Sequence, residues 1–272
     1  MNNIVCVKIN CYKGFGFDET INGIKNAGFN YVELSTSKGN SLGLTQHSSS
    51  EELKIIKNKL DNIGLNVVAL GGNSFLMDED TSKILKNIEL ANYFGCHYID
   101  TTMFNARNDA GLIASKEEII KKIKFYLPYL EENNLDLVIE LHGSYAQGRI
   151  LKDILKEIQS NNIHINYDTG NALYWGGLSV EEMLADFKDS IDYVSFMHLK
   201  DKLEDIDVWN FPALGKGYIP FEEIFKELKN KQNNSTLTVE IEFTQKGVES
   251  VEEVNKALVD SYNYLKSFEF DI

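Results

Sequence analysis

One joint recurs along this chain and limits what it can fold into. A stretch of helical apolar periodicity ends in a small or amide residue, and a short β-rich run follows at once. The joints read NAGFNYVEL, NIGLNVVAL, YFGCHYIDT, ENNLDLVIE and SNNIHINYD. Gly28, Gly64 and Gly95 stand where a helix C-terminus wants a left-handed residue, and Asn133 and Asn162 are expected to serve the same purpose less well. Several of the runs are apolar on both faces, as strands of a parallel sheet covered by helices are.

Eight such runs are found, near 3–9, 30–35, 65–71, 96–102, 135–142, 162–168, 191–198 and 236–242. Helical segments separate them. In 49–63, Leu53, Ile56, Leu60 and Ile63 form one stripe, with Ser49 or Ser50 as N-cap. Segments 116–132 and 179–189 open with the capping-box patterns SKEE and SVEE. Segment 220–230 places Pro220 at a favoured first helical position, and a last helix is expected at 249–267. Eight βα units predict an α/β protein with one closed (β/α)8 TIM barrel, a single domain over residues 1–272. A doubly wound open sheet is the rival topology. It calls for a glycine-rich phosphate loop after the first strand, and KGFGFDET is a poor version of one.

Composition narrows the function. The chain has 272 residues, the size of one such barrel, and carries a formal net charge of −14. That field repels a polyanion, so nucleic acid is not an expected partner. No window is apolar enough for a membrane span. The opening MNNIVCVKIN runs straight into a strand and shows no secretory signal. Cys6, Cys11 and Cys96 lack metal-ligand spacing and are expected as free thiols in a reducing cytoplasm.

In a barrel of this kind the chemistry sits at the C-terminal ends of the strands. Read in order, those ends offer Glu33 on the second strand, Glu140 and His142 on the fifth, and Asp168 with Asn171 beyond it on the sixth. The seventh adds His198 and Lys200, and the eighth Glu240 and Glu242. Strand residues two apart share a face, so each same-strand pair points one way, and parity leaves Glu240 and Glu242 undecided. One imidazole with three carboxylates is a hard, oxygen-rich set suited to Mn2+ or Mg2+, with Co2+ or Zn2+ as further candidates. Without a cation such carboxylates repel one another.

The chain resembles the xylose isomerase-like TIM barrel superfamily of sugar isomerases, epimerases and related enzymes. The likeness runs through nearly the whole chain. It is sharpest in Leu137–Gly143, Asn166–Gly176, Met197–Asp201, Leu214–Phe221 and Val239–Glu242. The resemblance implies one divalent metal, Mn2+ first, held by Glu140, Asp168, His198 and Glu240, and it favours Glu240 over Glu242. It further implies proton transfer beside a carbonyl of a sugar or sugar phosphate through an enediolate, with Glu140 and Glu240 as the acid–base pair. His142, Lys200, Glu33 and Asn171 are expected as substrate contacts or as partners of the metal carboxylates. The alternatives are a metal-dependent dehydratase of the same superfamily, an abasic-site endonuclease and a non-catalytic barrel. The third and fourth strands end ALGGN and IDTTM without histidine, which disfavours the endonuclease. Oligomeric state stays open, a homo-oligomer included.

Three smaller expectations complete the reading. His164 is taken as an interior histidine with its bonds satisfied, and His47 and His97 as residues without a role. Tyr174 and Trp175 are candidates for the pocket wall. The connection from Leu199 to Ile219 is long for a βα loop and is expected to cover the site.

Overall fold

In the computed structural model, which describes residues 3–105, 111–268 and 270, the strands close into the expected barrel. The barrel strands are β1 (Val5–Lys8), β2 (Tyr31–Ser35), β3 (Asn66–Gly71), β4 (Tyr98–Thr102), β5 (Asp136–Glu140), β6 (Ile163–Asp168) and β7 (Val194–Leu199), with β9 (Thr236–Val239) as the eighth. All pair in parallel, and β9 closes the ring on β1 through Val5–Leu237, Cys6–Thr238 and Val7–Val239. The two remaining strands, β8 (Asn210–Phe211) and β10 (Phe243–Thr244), form a small antiparallel ribbon outside the ring.

The helix boundaries follow local chemistry. Ser49, Ser115 and Ser179 each accept from the backbone N–H three residues on, while Glu52, Glu118 and Glu182 reach back. Each such cap stabilises its helix by about 1 kcal/mol. Gly28, Gly64 and Gly95 end their helices at φ of 109°, 71° and 75°. Two expected ends differ. Asn134 at φ 53°, not Asn133, is the left-handed cap of the helix Lys116–Asn133. Asn162 caps nothing, because its helix already ends at Leu155; its amide instead ties Leu135 O and Asp136 across to β5. Pro220 precedes the helix Phe221–Lys231 as its N-cap rather than opening it.

Inside the ring, side chains stack in layers drawn from alternate strands, as closed eight-stranded barrels require. Cys6, Ala69, Val138 and Phe196, from β1, β3, β5 and β7, form an apolar floor. Two residues further on, the same strands present Lys8, Gly71, Glu140 and His198. The intervening strands contribute Glu33, Asp100, Asn166 and Thr238 between these two sets, then Asp168 and Glu240 above them. A Cβ on Gly71 would meet the Asp100 side chain at 3.0 Å, a tight contact. The barrel thus changes from oil to charge within one layer, at its C-terminal end. The three cysteines are free and buried. No helix among the described residues is long and apolar enough to cross a membrane.

Candidate metal centre

The polar layers converge on His198. Its ring is fully buried, and its two nitrogens face different groups. Nε2 lies 3.0 Å from Glu33 Oε2. The same nitrogen has Asn166 Nδ2 at 3.1 Å and Lys8 Nζ at 3.2 Å. Nδ1 faces Glu240 Oε2 at 3.2 Å, Glu140 Oε1 at 3.6 Å and Asp168 Oδ2 at 3.7 Å. The ligand atoms of Glu140, Asp168, His198 and Glu240 all lie within 4.8 Å of one another.

Local structure aims each carboxylate. The helix Thr169–Tyr174 starts directly after β6, and Asp168 caps it by accepting the Asn171 N–H at Oδ1, 2.8 Å away. That commits Oδ1 and turns Oδ2 inward. Asn171 donates through Nδ2 to Glu140 Oε1 at 3.0 Å and to Leu141 O at 2.9 Å, which fixes the β5 carboxylate. Glu140 at the end of β5 and Glu240 just past β9 come from strands three apart in the ring, with β6 and β7 between them.

Two lysines thread the cluster. Lys8, 6% exposed, places Nζ 3.1 Å from Glu33 Oε1 and 3.4 Å from Asp100 Oδ2. Lys200, 2% exposed, places Nζ 3.0 Å from Asp168 Oδ2, 3.1 Å from Glu240 Oε2 and 2.9 Å from Glu242 Oε2. Its alkyl stem crosses Gly170, where a Cβ would meet Lys200 Cδ at 2.8 Å. Despite the short distances to Lys200, Asp168 Oδ2 and Glu240 Oε2 accept no directed hydrogen bond. Two buried carboxylate oxygens beside a histidine ring nitrogen, with directional capacity unspent, are what a divalent ion requires. The residues therefore fit a hard cation ligated by three oxygens and one nitrogen.

The electrostatics separate these groups. Burial works against the charge on Glu140, but Lys8 and His198 outweigh it and hold its pKa well below the usual carboxylate range. Burial dominates at Glu240 and pushes it up to about 7, against the pull of Lys200, Lys8 and His198. Burial likewise lifts Asp100 to about 6, whereas Lys8 and His198 overcome it at Glu33 and bring that group to about 2. Burial and Lys8 oppose a proton on His198, yet Glu33, Glu240 and Glu140 hold its pKa well above the ordinary value. These shifts describe the cluster without an ion, in which protons and ammonium groups must balance the carboxylates.

The substrate contacts expected from sequence divide. Glu33, Lys200 and Asn171 are buried and have partners within the carboxylate cluster. His142 is partly exposed, its Nδ1 is buried without a partner, and burial lowers its pKa. Its ring lies over Trp175 with centroids 5.2 Å apart. Tyr174 turns the other way and meets Trp209 and Phe211 edge-on. The long connection after β7 reaches Lys200: its Phe211 is fully buried, pairs with Phe243 in the ribbon, and has Lys200 Nζ 5.2 Å from its ring centroid. Asp201 ties this connection back by accepting from the N–H groups of Gly217 and Ile219.

Elsewhere, His97 pairs with Asp136 at 3.0 Å, and His164 is only partly buried and bonds Asn161 O. Both lie far down the strands from the centre. Sequence reasoning missed Lys8 and Asp100, though a charged residue inside an otherwise apolar barrel strand is the signal that marks them.

A family model described as the xylose isomerase-like TIM barrel matches residues 21–267. An inosose dehydratase of Geobacillus kaustophilus (strain HTA426) is 33% identical over 129 residues, a stretch covering 41% of this chain and 41% of that protein. The match thus spans less than half of that relative. Among solved structures, the fold is similar to that of the IOLI protein with a binding zinc atom, at TM-score 0.75 and 14% identity, over 99% of this chain and 100% of that one. It is also similar to D-psicose 3-epimerase with D-tagatose from Clostridium cellulolyticum H10, at TM-score 0.72 and 14% identity, over 97% of each chain. At such identities the likeness concerns the fold alone.

Proposed function

The chain belongs to the xylose isomerase-like TIM barrel family, and on that premise we propose a divalent-metal-dependent isomerase or epimerase of a sugar or sugar phosphate, working as one domain over residues 1–272. The observation that carries this reading is the convergence of Glu140 Oε1, Asp168 Oδ2 and Glu240 Oε2 on the Nδ1 side of His198. A bound Mn2+ or similar ion supplies Lewis acidity, polarising a carbonyl and stabilising charge on the adjacent oxygens.

The remaining work falls to side chains. Glu140 and Glu240 come from strands three apart in the ring, which suits removal of a carbon-bound proton on one face and its return on the other. In the metal-free cluster Lys8 and His198 hold Glu140 well below the usual carboxylate range while burial lifts Glu240 to about 7, so the two carboxylates differ in their environments. The His142–Trp175 stack offers a flat wall for the C–H face of a sugar, and the partnerless His142 Nδ1 a contact for a hydroxyl. The buried Phe211 beside Lys200 would keep water from the charged layer, where it weakens ionic interactions. The net charge of −14 opposes a nucleic-acid substrate, and we place the enzyme in the cytoplasm.

A second reading has an observation of its own. The stretch shared with the inosose dehydratase favours water elimination from a cyclic polyol or ketose at the same centre. One experiment separates the two. Holo-protein is incubated with a panel of ketoses and inososes in D2O and followed by NMR and mass spectrometry. Deuterium on the carbon beside the carbonyl, in a product isomeric with the substrate, supports the isomerase or epimerase. A product lighter by one water replaces that reading with the dehydratase, and no turnover of any panel member contradicts both.

A further inference from the structure

The two acid–base carboxylates each have a second oxygen, and both point at the same place. Glu140 Oε1 and Glu240 Oε2 face His198 Nδ1. Their opposite oxygens, Glu140 Oε2 and Glu240 Oε1, lie 4.0 and 3.9 Å from Lys8 Nζ. Around that nitrogen stand two more carboxylates, Glu33 Oε1 at 3.1 Å and Asp100 Oδ2 at 3.4 Å, and the His198 Nε2 at 3.2 Å. Glu33 is wholly buried, and among the described residues its Oε1 accepts no directed hydrogen bond although the ammonium is close.

Glu33, Asp100 and His198, whose ligand atoms lie within 4.8 Å of one another, therefore surround one point beside the first centre, and the second oxygens of Glu140 and Glu240 face it from 4.0 and 3.9 Å. That is the donor set of a second hard divalent ion, in the arrangement by which carboxylates link paired metals. In this chain the point is taken by a cation on a covalent stem. We infer that the barrel contains a latent second metal position and that the Lys8 ammonium fills it, which makes the centre mononuclear.

The chemistry is self-consistent. Four carboxylates brought together at this depth need a compensating positive charge close by, or their mutual repulsion drives protonation. A second ion would supply more charge but would also draw electron density from both proton-transfer carboxylates and weaken them as bases. The ammonium is fixed by its chain, cannot dissociate and cannot accept a ligand oxygen from the substrate. It balances the floor while leaving one open ion above it.

This inference rests on the metal reading of the upper site, and the test separates the two. Wild type, Lys8→Ala, Lys8→Gln and Lys8→Arg are dialysed against Mn2+, and bound metal per folded chain is measured by elemental analysis, with circular dichroism to verify folding. Wild type and Lys8→Arg should hold about one equivalent and Lys8→Ala and Lys8→Gln about two, because only the latter pair empty the lower position. A role for Lys8 in packing alone would lower metal content in step with folding. Folded Lys8→Ala or Lys8→Gln holding no more metal than wild type overturns the inference. Wild type with none but Lys8→Ala with one would uphold it while contradicting the metal reading, and none in either contradicts both. If neither variant folds, anomalous scattering from Mn2+-soaked wild-type crystals decides: one peak on the Nδ1 side of His198 supports the inference, and a peak among Glu33, Asp100 and the Lys8 nitrogen overturns it.

Discussion

His198 Nε2 lies 3.0 Å from Glu33 Oε2, and this contact between β7 and β2 sets the direction of the whole centre. It holds the ring so that Nδ1 is turned toward Glu140, Asp168 and Glu240. A carboxylate that orients a metal-binding histidine typically contributes 10- to 100-fold to metal affinity, so Glu33→Gln should weaken Mn2+ binding by about that factor. Competition against a fluorescent chelator measures it. Unchanged affinity would mean that Glu33 does not orient the ring.

Metal affinity should rise with pH through neutrality. Burial raises Glu240 to about 7, and the surrounding carboxylates hold a proton on His198 well above its ordinary pKa. Below those values the metal-free cluster binds protons that an ion must expel. Each proton released steepens the dependence, so the apparent Kd should fall about tenfold per pH unit per proton over this range. Calorimetric titrations at several pH values, in buffers of different ionisation enthalpy, count the protons. A flat profile from pH 6 to 8 would contradict the assignment of Glu240 as a ligand.

Lys200 is predicted to matter for folding as well as for substrate. It is 2% exposed and touches Asp168, Glu240 and Glu242. Removing one partner from a buried ionic group commonly costs about 3–5 kcal/mol, so Lys200→Met should destabilise the metal-free protein by that order. A bound divalent ion would compensate the same oxygens, and the deficit should shrink when Mn2+ is present. Urea denaturation with and without Mn2+ reads both numbers. Equal losses in the two conditions would show that Lys200 and the ion do not share ligands.

The barrel was legible because its punctuation is local. Helix caps at Ser49, Ser115 and Ser179 and left-handed glycines at 28, 64 and 95 bracket runs too apolar to be anything but covered strands. The four expected metal ligands were legible because each falls at the end of such a run. The last strand was read too long for a physical reason. The alternation Val239, Ile241 in and Glu240, Glu242 polar continues unchanged while the backbone leaves β9 and joins β8 through β10. Periodicity reports which face is buried, not which neighbour covers it. Lys8 and Asp100 escaped for a different reason. Each is one charged residue in a short strand, and their meaning comes from partners on other strands, such as Glu33 for Lys8 and the Asn166 amide on Asp100 Oδ1.

The most direct test of the account is a titration of chelator-treated protein with Mn2+, run in parallel on wild type, His198→Ala and Asp168→Asn. The account predicts a single site at about one ion per wild-type chain, a melting temperature that rises on binding, and weakened binding in both variants that high Mn2+ partly restores. Wild-type protein that binds no divalent ion, or His198→Ala binding it as tightly as wild type, would contradict the account.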